Sequence, residues 1–281
     1  MTTQPSSTGS GSDTNHPEAD LGRLLELAVK LAREAGQAVI GMRSGAVTTA
    51  TTKSSPTDPV TAADAAAERI IVDGIVGRRP TDGIVSEEGA DRSGHSSVVW
   101  FVDPIDGTTN YLYGIPAYSV SIAAAIDGIT SIGVVLNPVT DELFTAVIGG
   151  GAHLNGRPLA VNTQTELDTA LVGTGFGYRS DRRLVQAEIL RTVLPRIRDI
   201  RRFGSAALDL CAVAAGRIDG YYESGLNVWD YGAGQLIVEE AGGVCRVVAP
   251  NGHEPEWLFA AGPALVDPLQ HLVETAPTNH R

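Results

Sequence analysis

Along residues 21–42 the apolar positions Leu24, Leu27, Ala28, Leu31, Ala35 and Val39 recur every three or four residues. That is the spacing of one face of an α-helix, and Asp20 stands before it as an N-cap. The next stretch, TTATTKSSPTDPV, is polar, holds prolines at 56 and 59, and reads as loop or edge structure. A second helical pattern spans 61–76, and 84–86 and 98–102 read as short strands. A β-rich block follows. YSVSIAAAI and ITSIGVVLN flank Asp127-Gly128, a two-residue hairpin signal, and DELFTAVIGGGAHLNG continues as a further strand and turn. From 170 onward strands and helices alternate. Strands fall at 170–174, 198–202, 218–223, 244–248 and 257–261, and helices at 182–194, 205–215, 228–241 and 263–274. An α+β half leading into an alternating α/β half predicts layered sheets and helices with one site between them. The expected organisation is one domain over 20–281, made of two packed halves at about 20–165 and 166–275.

Composition narrows this picture without changing it. The chain has 281 residues, 43% hydrophobic and 19% charged, as an ordinary globular protein does. No apolar run reaches the roughly 18–20 residues that a membrane helix needs. The stretch MTTQPSSTGSGSDTNHPEAD lacks the basic and apolar regions of a secretory signal, and its Ser/Thr/Gly/Pro bias reads as a disordered tail over 1–19. Two cysteines, Cys211 and Cys245, each lie in an apolar segment, as buried free thiols of a reducing cytoplasm do. A formal charge of -12 speaks against membrane surfaces and direct nucleic-acid binding. Basic residues gather only in RSDRR (179–183) and RIRDIRR (196–202), which read as a solvated helix face and a strand edge.

Chemistry enters with the carboxylates. Acidic residues stand where strands end or helices begin: Asp64 in VTAAD, Glu87-Glu88 in IVSEE, Asp103 with Asp106 in VDPID, and Asp230 in NVWD. A lone strand-end Asp is most often a turn or cap residue. Convergent carboxylates raise each other's pKa, however, and stay ionised together only beside cations. Lys53 is one available cation. Mg²⁺, a hard ion that takes oxygen ligands, is the more general solution. Asp103 and Asp106, three apart around a Pro-Ile turn, would let Asp103 bridge two ions while Asp106 holds one, with the Ile105 carbonyl as a further oxygen. Gly107-Thr108-Thr109 then opens a helical turn whose free amides suit an anion, and Gly204-Ser205 caps a second apolar helix in RRFGSAALDLCAVAAG. A phosphate between two such turns and a metal cluster is the equipment of phosphoryl transfer.

VVWFVDPIDGTTNY and NVWDYGAGQLIVEEAGG, with KSSPTDPVTAAD, IVSEEG and GSAALDLCAVAAGRIDGYYESG in that order along the chain, resemble the inositol monophosphatase family. The resemblance covers about 21–272 and is nearest the bacterial inositol-1-monophosphatase branch. It implies a layered αβαβα sandwich, usually dimeric, and Mg²⁺-dependent, lithium-sensitive hydrolysis of a phosphorylated polyol. It implies that Glu87, Asp103 and the Ile105 carbonyl hold one Mg²⁺, that Asp103, Asp106 and Asp230 hold a second, and that a third, weaker ion leans on Glu87. Thr108, hydrogen-bonded toward Glu87, would orient and deprotonate a water. The Gly107 and Thr108 amides would bind phosphate, Gly204, Ser205 and Ala206 would line the substrate, and Glu223 would accept its hydroxyls. Lys53 would give electrostatic support. Ser86 is a departure, since the family often has glycine there.

Rival readings remain. Cys211 and Arg217 fit the C-x5-R spacing of cysteine phosphatases, but Cys211 lies on an apolar helix face rather than in a loop of amides. The six histidines lie outside every motif, which leaves phosphohistidine or zinc chemistry without support. Histidinol phosphate, fructose 1,6-bisphosphate and nucleotide 3′-phosphates are alternative substrates within the resemblance, and a non-catalytic role with the transcription machinery is another. A carboxylate at 223 suits a polyol hydroxyl or the amine of histidinol phosphate.

Overall fold

The predicted stripe of the first helix is fully used. In helix α1 (Pro17–Met42), Leu24, Leu27, Ala28, Leu31, Ala35 and Val39 are all buried. The helix begins at Pro17 rather than after Asp20; a proline suits the first helical turn, where its missing N–H has no partner to lose. The computed structural model describes residues 17–43, 51–52, 59–249 and 255–277. The tail reading for 1–16 and the position of Lys53 lie outside them.

Strands β1 (Thr51–Thr52) and β2 (Pro59–Val60) form a short antiparallel pair, and α2 (Ala62–Arg78) follows from its cap at Thr61. A seven-stranded sheet comes next: β3 (Gly83–Ser86), β4 (Val98–Asp106), β5 (Ser119–Ile126), β6 (Ile129–Asn137), β7 (Glu142–Val147), β8 (Gly151–Leu154) and β9 (Arg157–Pro158). Only β3 and β4 are parallel; the rest is a meander. Helix α3 (Thr108–Tyr113) leaves the end of β4.

The second sheet holds β10 (Leu171–Thr174), β11 (Asp199–Arg201), β12 (Gly220–Ser224), β13 (Val244–Val248) and β14 (Trp257–Ala261), in the order β11-β10-β12-β14-β13. Its helices are α4 (Ser180–Val193), α5 (Ala206–Ala214), α6 (Val228–Glu240) and α7 (Val266–Glu274).

Side-chain alternation explains the layering. On β5 and β6, Val120, Ile122, Ile132 and Val134 pack with α1 and α2, while Ala123 and Val135 point to the other face. There they meet Ala207, Leu210, Ala233 and Ile237 of α5 and α6. Tyr221, Leu258 and Ala260 of the second sheet close that layer from beyond, and α4 and α7 cover the outer face around Phe259 and Leu269. The result is an αβαβα sandwich, whose middle helices are buried on two sides and therefore apolar nearly all round.

One strand departs from expectation. The apolar run predicted to stop at 102 continues as β4 through Asp106. Its pairing with β5 slips there: Asp103 sits opposite Ser121 and Asp106 opposite Ser119. Three steps on β4 against two on β5 define a bulge of one extra residue. Pro104, which has no amide to give the ladder, sits inside it.

Candidate active site

The bulge decides where the carboxylates point. In a regular strand, residues three apart face opposite sides. The extra residue cancels that alternation, so Asp103 and Asp106 share the face of Ser119 and Ser121, toward α5 and α6. Ser119 and Ser121 mark that face by their partners, the Ser205 hydroxyl at 3.2 Å and the Trp229 carbonyl at 3.3 Å.

Each aspartate commits one oxygen to the scaffold. Asp103 Oδ1 accepts the Ile105 amide at 3.0 Å. Asp106 Oδ2 accepts the Ser205 hydroxyl at 2.6 Å and the Ala207 amide at 2.7 Å. Asp230, in the first turn of α6, accepts the Asn227 amide at 2.6 Å through Oδ2. Glu87 follows β3, its amide held by the Val102 carbonyl at 3.1 Å. The anion seat that the sequence offers at the start of α5 is thus filled by Asp106. The turn after Gly107 lies at the end of β4. Gly107 has φ +95°, and a Cβ there would lie 2.9 Å from the Gly204 carbonyl, so the turn admits no side chain.

All four acids line one pocket of about 400 Å³, together with Ile105, Gly107, Thr108, Gly204, Ser205, Ala206 and Glu223. Burial foremost, then the charges of Glu87, Asp106 and Asp230, hold the Asp103 carboxyl well above its usual value. Burial pushes Asp106 up to about 7, against the hydrogen bonds from Ser205 and Ala207 that pull it down. Burial and Asp106 raise Asp230 likewise. Among the described residues no three such side chains close into a ready-made ligating cluster. The donor chemistry is nonetheless all oxygen, carboxylate and carbonyl, with one oxygen of each aspartate already anchored. That set fits a hard divalent cation and offers no nitrogen or sulfur for zinc.

The Thr108 hydroxyl lies 3.1 Å from the Ile105 carbonyl and 3.5 Å from Asp64 Oδ1. Asp64 is wholly buried, and its Oδ2 takes the Thr61 amide at 2.8 Å and the Thr61 hydroxyl at 2.6 Å. The sequence placed Asp64 among the acidic candidates but gave it no task, because its partner stands 44 residues away.

Glu223, next to last in β12, lines the pocket and accepts the Tyr221 hydroxyl. Gly175 makes room for it: a Cβ at 175 would strike the Glu223 carboxylate. Arg182 and Arg202 also line the pocket, a role their reading as solvated residues did not give them; Arg202 is exposed at its rim and Arg182 half-buried. Their signal was adjacency to site segments, Arg202 lying two residues before Gly204. Cys211 is buried in α5, and burial raises its thiol well above the usual range, the opposite of a nucleophilic cysteine. Ser86 donates to the buried carboxylate of Glu68 and so ties the Glu87 turn to α2. No described helix is long and apolar enough to cross a membrane.

Residues 20–278 match a family model described as the inositol monophosphatase family. The inositol-1-monophosphatase SuhB of Mycobacterium tuberculosis is 46% identical over 275 residues, covering 90% of this chain and 94% of its own. The Nus factor SuhB of Pasteurella multocida is 40% identical over 259 residues, covering 89% and 96%. Among solved structures, the extragenic suppressor protein suhB from Bartonella henselae matches with a TM-score of 0.83 at 35% identity, over 91% of this chain and 100% of that one.

Proposed function

The chain belongs to the inositol monophosphatase family and is an inositol-phosphate phosphatase, and on that premise we propose that it is Mg²⁺-dependent and hydrolyses myo-inositol 1-phosphate by direct attack of water, without a phosphoenzyme. The observation that carries this reading is the β4 bulge, which turns Asp103 and Asp106 to one face in the pocket that Glu87, Asp230, Thr108 and Glu223 also line.

Glu87, Asp103 and the Ile105 carbonyl would hold one Mg²⁺, and Asp103, Asp106 and Asp230 a second, with a weaker third on Glu87. Bound there, the ions supply Lewis-acid stabilisation of the charge on the attacking and leaving oxygens. The chain's own groups do the rest. The Gly107 and Thr108 amides hold the phosphate, and Gly204, Ser205 and Ala206 bound the substrate beside it. Thr108 Oγ1 accepts the proton of the attacking water and passes its own to Asp64 Oδ1, 3.5 Å away. Tyr221 fixes one oxygen of Glu223, leaving the other for a hydroxyl of the polyol. Lys53 lends positive charge. We place the enzyme in the cytoplasm, as a homodimer inhibited by Li⁺.

A phosphate-release panel over myo-inositol 1-phosphate, fructose 1,6-bisphosphate and a nucleotide 3′-phosphate, with Mg²⁺ and Li⁺ titrated, tests this. The inositol ester should turn over fastest, only with Mg²⁺, and Li⁺ should inhibit. Release that ignores the metal, or that prefers another ester by tenfold, refutes it. The name Nus factor, carried by the Pasteurella relative, favours a second, non-catalytic role with the transcription machinery. Rescue of a deletion phenotype by a catalytically dead variant would reveal it.

A further inference from the structure

Two arginines frame the end of the pocket where the leaving alcohol would sit. Arg182, in the first turn of α4, donates through Nη2 to the Ser224 carbonyl at 2.9 Å and lies 3.2 Å from the Ser224 hydroxyl, one residue past Glu223. Gln186, one turn on, binds the same hydroxyl at 3.2 Å and takes the Gly177 amide at 2.9 Å, which fixes this corner of the pocket. Arg202 approaches from the segment between β11 and α5, against Gly204, and is exposed at the rim.

Arg182 and Arg202 both pull the Glu223 carboxyl toward its ionised form, against the larger, raising effect of burial. Asp209 lies nearby, its carboxyl pushed up by burial. Two guanidiniums thus stand beside the Glu223 carboxylate at this end of the pocket. A lone Glu223 would attract an ammonium as readily as it accepts a hydroxyl. Flanked by two permanent cations, it keeps its lone pairs for neutral donors, while an incoming ammonium meets repulsion from both sides.

We propose that Arg182 and Arg202 set the charge specificity of the site, admitting a neutral polyol as the alcohol of the ester and rejecting one that carries an ammonium group. The proposal rests on the phosphatase reading above and decides between the two partners that a carboxylate at 223 leaves open.

The test is the ratio of kcat/KM for myo-inositol 1-phosphate to that for histidinol phosphate. Both esters carry the same phosphate, so general attraction of anions to the arginines cancels in the ratio. Wild type should favour the inositol ester. Arg202→Gln should move the ratio toward the ammonium ester by about three- to tenfold, an effect that shrinks in high salt, and Arg202→Lys should restore it. Arg182→Gln should move it the same way, with a melting curve to confirm that loss of the Ser224 tie leaves the fold intact. A ratio unmoved in both glutamine variants, or a wild type that prefers the ammonium ester, overturns the proposal. A wild type that turns over neither ester with Mg²⁺ overturns the phosphatase reading and this proposal with it.

Discussion

Removing divalent cations should make the fold lose stability as pH rises, because the site gathers buried acids that prefer to be neutral. Asp106 gives the magnitude, since its pKa moves from 3.8 to about 7. Each unit is worth about 1.36 kcal/mol, so roughly three units amount to about 4 kcal/mol at most, less where water enters the pocket. The sign follows from the direction. A raised folded-state pKa favours folding of the neutral form, so the contribution is fully present below about pH 4 and is lost as pH rises through about 7. Mg²⁺ should reverse the loss, because its ligands must be ionised. Melting curves in chelator and in saturating Mg²⁺, taken from pH 5 to 8, should therefore diverge as pH rises. About 2.6 kcal/mol of this contribution is lost between pH 5 and 8, so at about 2–4 °C per kcal/mol for a chain of this order Asp106 alone widens the gap by up to roughly 10 °C. Asp106→Asn should flatten the chelated curve. A gap that stays constant or closes with rising pH would refute the reasoning.

Other perturbations test the parts separately. Gly107→Ala places a Cβ 2.9 Å from the Gly204 carbonyl at a positive φ, and urea unfolding should show a loss of about 2–4 kcal/mol together with weakened substrate binding. Asp64→Asn keeps an acceptor for Thr61 but removes the proton sink behind Thr108; steady-state kinetics should show kcat lower by about 10²–10³ with KM little changed. Cys211→Ala should retain wild-type kcat and lose only stability, whereas a thiolate mechanism requires that activity vanish.

How far the sequence could be read depended on the range of the interaction. The stripe of α1, the Asp127-Gly128 hairpin and the alternation after 170 are local patterns, and the structure keeps them within a few residues. The layering was legible in the α+β half that leads into an alternating α/β half, and its αβαβα order only in the family resemblance. The bulge in β4 was hidden, because a pair of aspartates three apart looks the same in a turn as in a bulge. Only Pro104 hinted at it. The filling of the α5 start by Asp106 and the pairing of Thr108 with Asp64 join residues 101 and 44 positions apart, beyond any spacing rule. The pocket role of Arg182 and Arg202 was missed for another reason: an arginine in a basic run reads as solvated whether or not its guanidinium also borders a pocket.

Asp103 is the proposed shared ligand of both metal sites, so its amide variant bears on the whole. Phosphate release from myo-inositol 1-phosphate should be measured for Asp103→Asn and wild type while Mg²⁺ is raised from chelated zero to saturation. The account predicts a saturable rise from nothing in wild type and nearly none in the variant, with the two folds equal by circular dichroism. A variant that reaches near wild-type kcat at any Mg²⁺ concentration would contradict it.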